Sequence, residues 1–436
     1  MTISRRDLLR YLALSPVTAT GLVTTLSNLN NWAQAADEPL PPSRRFTLGM
    51  IGVGGMGTGS LHANLGRSDV QVVAVCDVDR EHREKAKAAV DQKYGSKDCR
   101  TFTDHRELLA MPDLDAVWIS TPDHWHAICA VDAAKAGKHF YIEKPLTHHP
   151  DEGRAIITAV RRAGVTCQTG NQQRSSPEFQ RAIDLARNGY LGRIREVFVG
   201  ISGGAGDAKV IQKAMPIPEG LDFERWLGPA PLVPFNPDRV HFNWRWNYDY
   251  GGGILTDWIQ HHYDIAALAV GVADQQPIEI RNASAVFTRI SNVYDTATEY
   301  SFESVYANGT VISTSSSHPG GIRIVGDEGW VKVTRGNIEH SSPALSRLAI
   351  PAHRRWARDT ESHHTSFYEA IRTGTDPRTP IEESHNIALV AHLANAAFRA
   401  GRSQLRWDPV REAVIDDPEA ARFLIRPPRS PYLLPA

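Results

Sequence analysis

The feature that most constrains the fold is a glycine-rich turn, Gly52-Val53-Gly54-Gly55-Met56-Gly57, between a strand-like run at 47–51 and a helix-compatible segment at 58–65. Glycines there allow a tight turn, a close approach of the backbone to a pyrophosphate and close packing of the helix on the strand. Asp77 stands 20 positions after Gly57, at the end of a second strand-like run. A carboxylate at that place accepts hydrogen bonds from ribose hydroxyls, so the pattern predicts a βαβ unit that binds a dinucleotide.

The same alternation of strand and helix continues to residue 170. Strands are predicted over 70–77, 116–120, 139–142 and 165–169, and helices over 80–94, 124–136 and 151–163. Alternation of this kind builds a parallel sheet covered by helices. Residues 47–170 are therefore predicted to form an α/β Rossmann domain. Its cofactor-binding candidates are Gly52, Gly54, Gly55, Met56, Gly57 and Asp77.

Beyond residue 170 the hydrophobic pattern changes. A helix is predicted over 177–187 and another over 383–400, and strands with a period of two are predicted over 195–201, 278–287, 298–302, 310–315 and 329–334. Such alternation indicates a mainly antiparallel sheet with one covered face. We expect an α+β domain with a large open sheet over 171–405, then a Pro-rich tail over 406–436. Because the sequence shows no helices for the second face of the sheet, a homo-oligomer, dimer or tetramer, is expected.

The N-terminal segment reads as a targeting signal. Ser4-Arg5-Arg6-Asp7-Leu8-Leu9-Arg10 precedes an apolar stretch with Ser and Thr, and Ala33-Gln34-Ala35 resembles a cleavage site. Residues 1–35 resemble a twin-arginine signal peptide, followed by a linker over 36–46. A membrane anchor is the alternative, but the polar residues in the stretch disfavour it. We expect export to the periplasm, with no stable membrane insertion after cleavage.

Charge and cysteine content exclude several classes of partner. The 436 residues carry 48 Lys and Arg against 49 Asp and Glu, with no run of basic residues to follow a phosphate backbone. Nucleic acid is therefore not an expected partner. The four cysteines form no C-x-x-C pair, so we expect them to be buried apolar residues, and no metal site is predicted.

Three further segments carry a family resemblance. They are Ser120-Thr121-Pro122-Asp123-His124-Trp125-His126, Glu143-Lys144-Pro145 and the stretch from Gly251-Gly252-Gly253 through Asp257 and His261 to Asp264. In this order, behind the dinucleotide turn, they resemble the signatures of the Gfo/Idh/MocA oxidoreductases, a family that includes glucose-fructose oxidoreductase and inositol dehydrogenases. The resemblance runs from about residue 48 through the late helix. It departs at Ile259, where family members commonly have glycine.

The resemblance implies an NAD(P)-dependent enzyme that oxidises a CH–OH group of a carbohydrate. It adds Thr121, Pro122, His126, Glu143 and Lys144 to the cofactor-binding candidates, although His126 at a helix start is equally well explained as a cap or packing residue. Asp77 favours NAD and Arg80 keeps NADP as the alternative. An exported enzyme meets almost no free nicotinamide, so we expect a tightly bound cofactor, with an affinity of about −12 kcal/mol.

By the same resemblance, Lys144, Asp257 and His261 form the catalytic group. On a helix, positions 257, 261 and 264 share one face. We assign His261 as general base, because its ordinary pKa lies near working pH. Lys144 is assigned as hydrogen-bond donor to the reacting oxygen, and Asp257 as the group that orients His261 or a substrate hydroxyl. His262 is rejected as a metal ligand beside His261, because neighbouring helical residues point apart.

The substrate candidates are less specific. Flat aromatic faces beside polar groups suit sugar rings, and such residues crowd the third signature. The predicted substrate contacts are Gln173, Arg174, Trp244, Arg245, Asp257 and His261. Plain core packing is the competing interpretation for the tryptophans. Two other functions stay open: an NAD-dependent glycosidase that oxidises its substrate transiently, and a non-catalytic ligand-binding or assembly protein with the same fold.

Overall fold

The computed structural model describes residues 45–434, except 207, 208, 212, 289, 292, 358–360 and 428. The predicted signal peptide, 1–35, and all but the last two residues of the predicted linker lie outside the described residues. Within the described part of the chain, every helix is too short or too polar to cross a membrane.

Residues 46–169 contain a parallel six-stranded sheet in the order β3-β2-β1-β4-β5-β6. Its strands are β1 (Phe46–Ile51), β2 (Val70–Cys76), β3 (Arg100–Phe102), β4 (Ala116–Ile119), β5 (His139–Ile142) and β6 (Cys167–Thr169). Its helices are α1 (Gly55–Leu65), α2 (Arg80–Tyr94), α3 (His105–Leu109), α4 (Asp123–Lys135) and α5 (Pro150–Ala163). The predicted α/β Rossmann architecture is confirmed.

Strand β3 and helix α3 were not predicted. Two of the three residues of β3 are exposed, because the strand lies at the edge of the sheet and pairs only with β2. An edge strand with little burial carries no apolar run for a sequence pattern to reveal.

The second sheet has nine strands in the order β13-β12-β11-β7-β10-β9-β8-β14-β15. All its neighbouring strands are antiparallel except the parallel pair of β7 and β10. The strands are β7 (Ile194–Gly200), β8 (Glu279–Val286), β9 (Glu299–Val305), β10 (Val311–Ser315), β11 (Gly321–Gly326), β12 (Gly329–Thr334), β13 (Asn337–His340), β14 (Gln404–Asp408) and β15 (Ala413–Val414). The prediction of a large, mainly antiparallel sheet is confirmed.

Three long helices pack on this sheet: α6 (Pro177–Arg187), α8 (Gly253–Val270) and α11 (Ile381–Arg399). The remaining helices are α7 (Phe223–Leu227), α9 (Pro343–Arg347), α10 (His363–Thr373) and α12 (Pro418–Ala421), with short 3-10 segments at Gln172–Ser175, Pro237–Arg239, His241–Trp246, Ala352–Arg354 and Arg422–Leu424. Helix α8 is almost wholly buried, so its position is set by packing along its whole length.

The described residues of the expected tail, 406–434 without 428, contribute to the folded body. Strand β14 pairs with β8 and extends the second sheet, and β15 pairs with β14. Near the end of the chain, the ring of Tyr432 lies 5.4 Å from that of Trp125 in the first domain. The four cysteines are free and buried, as expected.

Candidate functional site

The glycine-rich turn has the close packing that the sequence predicts. Gly52 has φ +79°, a conformation that a side chain would strain, and a Cβ there would lie 2.7 Å from the carbonyl group of Ser120. A Cβ on Gly57 would lie 2.1 Å from the carbonyl oxygen of Gly52. Both positions therefore require glycine, and the turn presents the start of α1 to the space above the sheet.

Asp77 lies at the carboxyl end of β2, against the same turn. Its Oδ2 accepts a hydrogen bond of 2.9 Å from the backbone N–H of Val53, and its Oδ1 accepts one of 2.9 Å from that of Asp79. His82 Nδ1 is 3.8 Å from Oδ2, and this contact raises the pKa of His82. Asp77 is thus fixed at the edge of the turn, which is where a carboxylate meets the adenosine ribose in this kind of fold.

A cleft of about 360 Å³ runs over this turn to the second domain. It gathers most of the predicted cofactor and substrate residues: Gly52, Gly54, Gly55, Met56, Asp77, Thr121, Pro122, Glu143, Lys144, Trp244 and Arg245. The glycine turn, the helix N-terminus and the fixed carboxylate at one end fit a dinucleotide. The residues present therefore suit NAD.

The other end of the cleft holds a buried cluster of charges. Lys144 Nζ donates a hydrogen bond of 2.7 Å to Asp257 Oδ1, and Arg245 Nε donates one of 3.1 Å to the same atom. Burial by itself raises the pKa of Asp257, but the two cations outweigh it and hold that pKa below its usual value. The carboxylate is therefore ionised and fixes Lys144, from the first domain, against helix α8.

His261 lies one helical turn after Asp257 and is buried. Burial, together with the charges of Lys144 and Arg335, pushes the pKa of His261 well below 6.5. Its Nδ1 has no hydrogen-bond partner among the described residues. Two roles were expected for Asp257, to orient His261 or a substrate hydroxyl. The first is not seen, because the described hydrogen bonds of the Asp257 side chain go to Lys144 and Arg245.

The prediction that Arg174 contacts substrate is wrong. Its guanidinium is fully buried, with Nε 2.8 Å from Asp264 Oδ2 and Nη1 2.6 Å from Glu383 Oε2. Gln173 also lies away from the cleft lining. With its amide nitrogen turned toward helix α8, it donates a bond of 2.6 Å to the His261 carbonyl and accepts one of 3.1 Å from Arg335. Both side chains therefore support the helix that carries the catalytic candidates.

His126 is likewise a supporting residue. Its ring is held between the carbonyl oxygens of Pro145, at 2.6 Å from Nδ1, and Thr121, at 2.9 Å from Nε2. Burial lowers the pKa of His126 to about 4. The ring thus joins the Thr121-Pro122 segment to the segment that carries Lys144, instead of lining the cleft itself. His262 bonds to the carbonyl of Gly200, away from His261.

Trp244 and Arg245, the predicted substrate contacts, both line the cleft. The Arg245 guanidinium is 4.4 Å from the centre of the Trp244 ring and 4.7 Å from that of Phe242. Cation–π contact and the bond to Asp257 together hold the arginine in place. The cleft also includes residues that the sequence analysis did not select: Asp123, His82, His241 and Phe242. Asp123 belongs to the family signature at 120–126. It was not selected because a carboxylate at the start of a helix is also typical of a capping residue.

Family comparisons agree with this geometry. Residues 46–171 match the NAD-binding Rossmann fold of an oxidoreductase family, and residues 205–434 match the C-terminal alpha/beta domain of the same family. The chain belongs to the Gfo/Idh/MocA oxidoreductase family. Its first domain is accordingly an NAD-binding domain, and the resemblance drawn from the three signatures is confirmed.

Sequence identity to individual proteins is low. The chain is 32% identical over 210 residues to an alpha-N-acetylgalactosaminidase from Shewanella oneidensis, a match that covers 44% of each chain. Matches to the curated relatives thus span less than half of their length. Among solved structures, the aldose-aldose oxidoreductase from Caulobacter crescentus superimposes with a TM-score of 0.60 at 20% identity, covering 83% of this chain and 100% of that one. The WlbA dehydrogenase from Bordetella pertussis, in complex with NADH and UDP-GlcNAcA, gives a TM-score of 0.62 at 20% identity, with 84% and 99% covered.

Proposed function

We propose that the protein transfers hydride between a tightly held NAD(H) and a hydroxyl group of a sugar, polyol or glycoside. The observation that carries the proposal is the buried ion pair of Lys144 with Asp257. It unites a cleft-lining residue of the NAD-binding domain with a helix of the second domain, beside a wall formed by Trp244 and Arg245. A cation held in this way is suited to the oxygen of a reacting alcohol.

Oxidation of an alcohol requires a stabilised oxygen and a proton acceptor. The cleft residues would hold NAD⁺, which would supply the acceptor for the hydride of the substrate carbon. Lys144, held in position by Asp257, donates a hydrogen bond to the reacting oxygen as negative charge develops on it. His261 is neutral because burial lowers its pKa, and its Nδ1 has no partner among the described residues, so it is the available proton acceptor. The same shift makes it a weaker base than a histidine of ordinary pKa.

A carbohydrate substrate is supported by the shape and chemistry of the cleft. The Trp244 ring offers a flat apolar face next to the guanidinium of Arg245. Two relatives point the same way, since one is named an aldose-aldose oxidoreductase and the other was solved with a nucleotide sugar.

The first test is mass and absorbance analysis of the purified protein for a bound dinucleotide, followed by a panel of sugars and glycosides. We expect bound NAD(H) that one class of sugar reduces. Lys144→Ala should lower kcat by about 10²–10⁴-fold, in line with the loss of an acid–base or polarising group, while the cofactor stays bound. Lys135→Ala, an exposed lysine at the end of α4, is the control and should leave kcat unchanged. A protein that neither contains nor binds a dinucleotide would contradict the proposal.

A redox-neutral glycosidase is the second candidate, favoured by the match to an alpha-N-acetylgalactosaminidase. In that reaction, transient oxidation of a ring hydroxyl acidifies the neighbouring C–H bond, elimination breaks the glycosidic bond, and water and hydride are then returned to the sugar. Product analysis separates the two functions. Release of a free sugar with no net change in cofactor redox state supports the glycosidase, whereas accumulation of a keto sugar supports the oxidoreductase.

A further inference from the structure

Asp123 is a buried carboxyl group to which the proposed hydride transfer gives no role. It is the first residue of α4, directly after Thr121-Pro122, and it lines the cleft while only 2% exposed. Its Oδ1 has no hydrogen-bond partner among the described residues. A buried polar oxygen left unpaired costs about 1–3 kcal/mol, so its persistence requires an explanation.

The space beside this carboxyl group is kept open by a glycine. A Cβ on Gly251 would lie 3.3 Å from Asp123 Oδ2 and 2.8 Å from the ring of Trp244. Gly251 therefore stands where the carboxyl group and the aromatic wall approach each other. A side chain there would crowd both groups, and both Asp123 and Trp244 line the cleft.

Four charged groups face Asp123: Asp257 from α8, Arg245 from the short helix before it, Lys144 after β5 and Glu152 from α5. Burial is the largest influence and raises the pKa of Asp123 well above 3.8, and the charge of Asp257 raises it further. Lys144 and Arg245 act in the opposite direction, but both are bonded to Asp257. The environment thus shifts the pKa values of two nearby carboxyl groups in opposite directions. Asp257 is ionised, and Asp123 favours its neutral form.

We propose that Asp123 is a substrate-binding residue whose neutral carboxyl group donates a hydrogen bond to an uncharged oxygen of the sugar, beside the hydroxyl that is oxidised. This assignment rests on the proposed function. The two cations of the cluster already bond to Asp257, so a neutral carboxyl group adds a donor of a different kind. It is suited to a ring, glycosidic or hydroxyl oxygen, each of which has a free lone pair.

The test compares two variants with different hydrogen-bonding capacity. Asp123→Asn keeps the size and a donor, whereas Asp123→Leu keeps the approximate size and loses the donor. The probe is whichever of D-glucose, methyl β-D-glucoside, myo-inositol and N-acetylgalactosamine reduces the cofactor of the wild type fastest. Asp98→Asn, an exposed carboxylate in the same domain, is the control for lost charge. Each protein is assayed for KM, kcat and NADH affinity across a range of pH.

We expect Asp123→Leu to raise KM about tenfold, the loss of one hydrogen bond from a buried group, with NADH affinity unchanged. Asp123→Asn should stay within about threefold of the wild type. The donor exists only below the pKa of Asp123, so the KM of the wild type should rise as pH increases through that value, while the KM of Asp123→Asn stays flat. A structural role alone would produce no such difference between the pH profiles.

Two results would contradict this assignment, and they distinguish failure of the proposed function from failure of the role of Asp123 alone. If no sugar reduces the cofactor of the wild type, the proposed function fails and the assignment of Asp123 fails with it. If the wild type is active but the KM of Asp123→Leu is unchanged, or if the KM of the wild type falls with rising pH, only the role of Asp123 is overturned. A falling KM would mean that the carboxylate, as an acceptor, is the binding form.

Discussion

Single residues in this site act through the partners that burial gives them. Asp257 receives hydrogen bonds from Lys144 and Arg245 on one oxygen, so both cations are fixed relative to helix α8. Ile259, two residues later, replaces the glycine that is common in the family. It is fully buried in the hydrophobic core of the second domain and does not line the cleft, so the departure changes core packing and leaves the cleft lining unaltered.

Arg174 provides a stability prediction at this scale. Replacing it with Met would leave Asp264 buried without its guanidinium partner, and loss of one member of a buried ion pair costs about 3–5 kcal/mol. Urea unfolding should show that loss of stability, whereas Arg245→Met, near the surface of the cleft, should mainly raise KM. Normal unfolding free energy with a strongly raised KM for Arg174→Met would restore Arg174 as a substrate residue.

At the scale of elements, the cofactor end depends on how closely α1 meets β1. The carbonyl oxygen of Gly52 occupies the space that a side chain on Gly57 would need, so the turn and the first helical turn form one rigid unit. Helix α8 lies behind the other end of the cleft, where its Asp257 bonds to the lining residues Lys144 and Arg245, and it is buried at both catalytic candidates, Asp257 and His261. The two ends are joined by the Lys144–Asp257 bond, which links residues 113 positions apart.

Gly57→Ala tests this packing. Its new methyl group would lie 2.1 Å from the Gly52 carbonyl oxygen, so the turn must open and the phosphate-binding N–H groups must move. We expect the Kd for NADH, measured by titration calorimetry, to rise at least about tenfold. Gly59→Ala is the matched control in the same helix, because nothing lies within 4 Å of its Cβ, and it should bind NADH normally. Equal affinities for the two variants would contradict the close-packing argument.

At the scale of the whole molecule, the outer face of the second sheet carries partly exposed aromatic residues that are suited to an interface between subunits. Phe198 and Trp330 lie on the face opposite the buried Val197 and Val331, and both are partly exposed. We predict that this face pairs with a second copy of the chain. Light scattering at micromolar concentration should then report the molar mass of a dimer or tetramer. The double variant Phe198→Asp/Trp330→Asp should shift the measured molar mass toward that of a monomer. A monomeric wild type would contradict the prediction.

Export is the other prediction at this scale. The paired arginines Arg5 and Arg6 resemble the twin-arginine signal, whose route carries folded, cofactor-loaded cargo. Replacing both with Lys should keep the protein out of the periplasmic fraction, and Arg10→Lys is the control. Mass analysis of the exported wild type should place its N-terminus at Ala36. Periplasmic recovery of the double-lysine variant would count against this route.

The sequence by itself determined the βαβ start, most strands and long helices, and the identity of the catalytic candidates. These features have local signals: required glycines, apolar periods and short ordered motifs, which act over a few neighbouring residues. The bounds of α2 and α6 coincide with their predictions, because local signals mark their starts: Asp79 caps α2, and Pro177 is the first residue of α6. Trp244 and Arg245 were selected because they lie close to the third signature in the sequence, and both line the cleft.

Only the tertiary structure decided which groups meet. Lys144 takes Asp257 as its partner, and Arg174 is enclosed by Asp264 and Glu383. Asp123 lines the cleft and has one buried oxygen without a hydrogen-bond partner among the described residues. Each of these pairings depends on the burial of charged groups that are distant in sequence. A local sequence pattern therefore cannot predict them. Removal from water makes an unpaired charge costly, so packing selects the partner. It thereby lowers the pKa of Asp257 and raises that of Asp123.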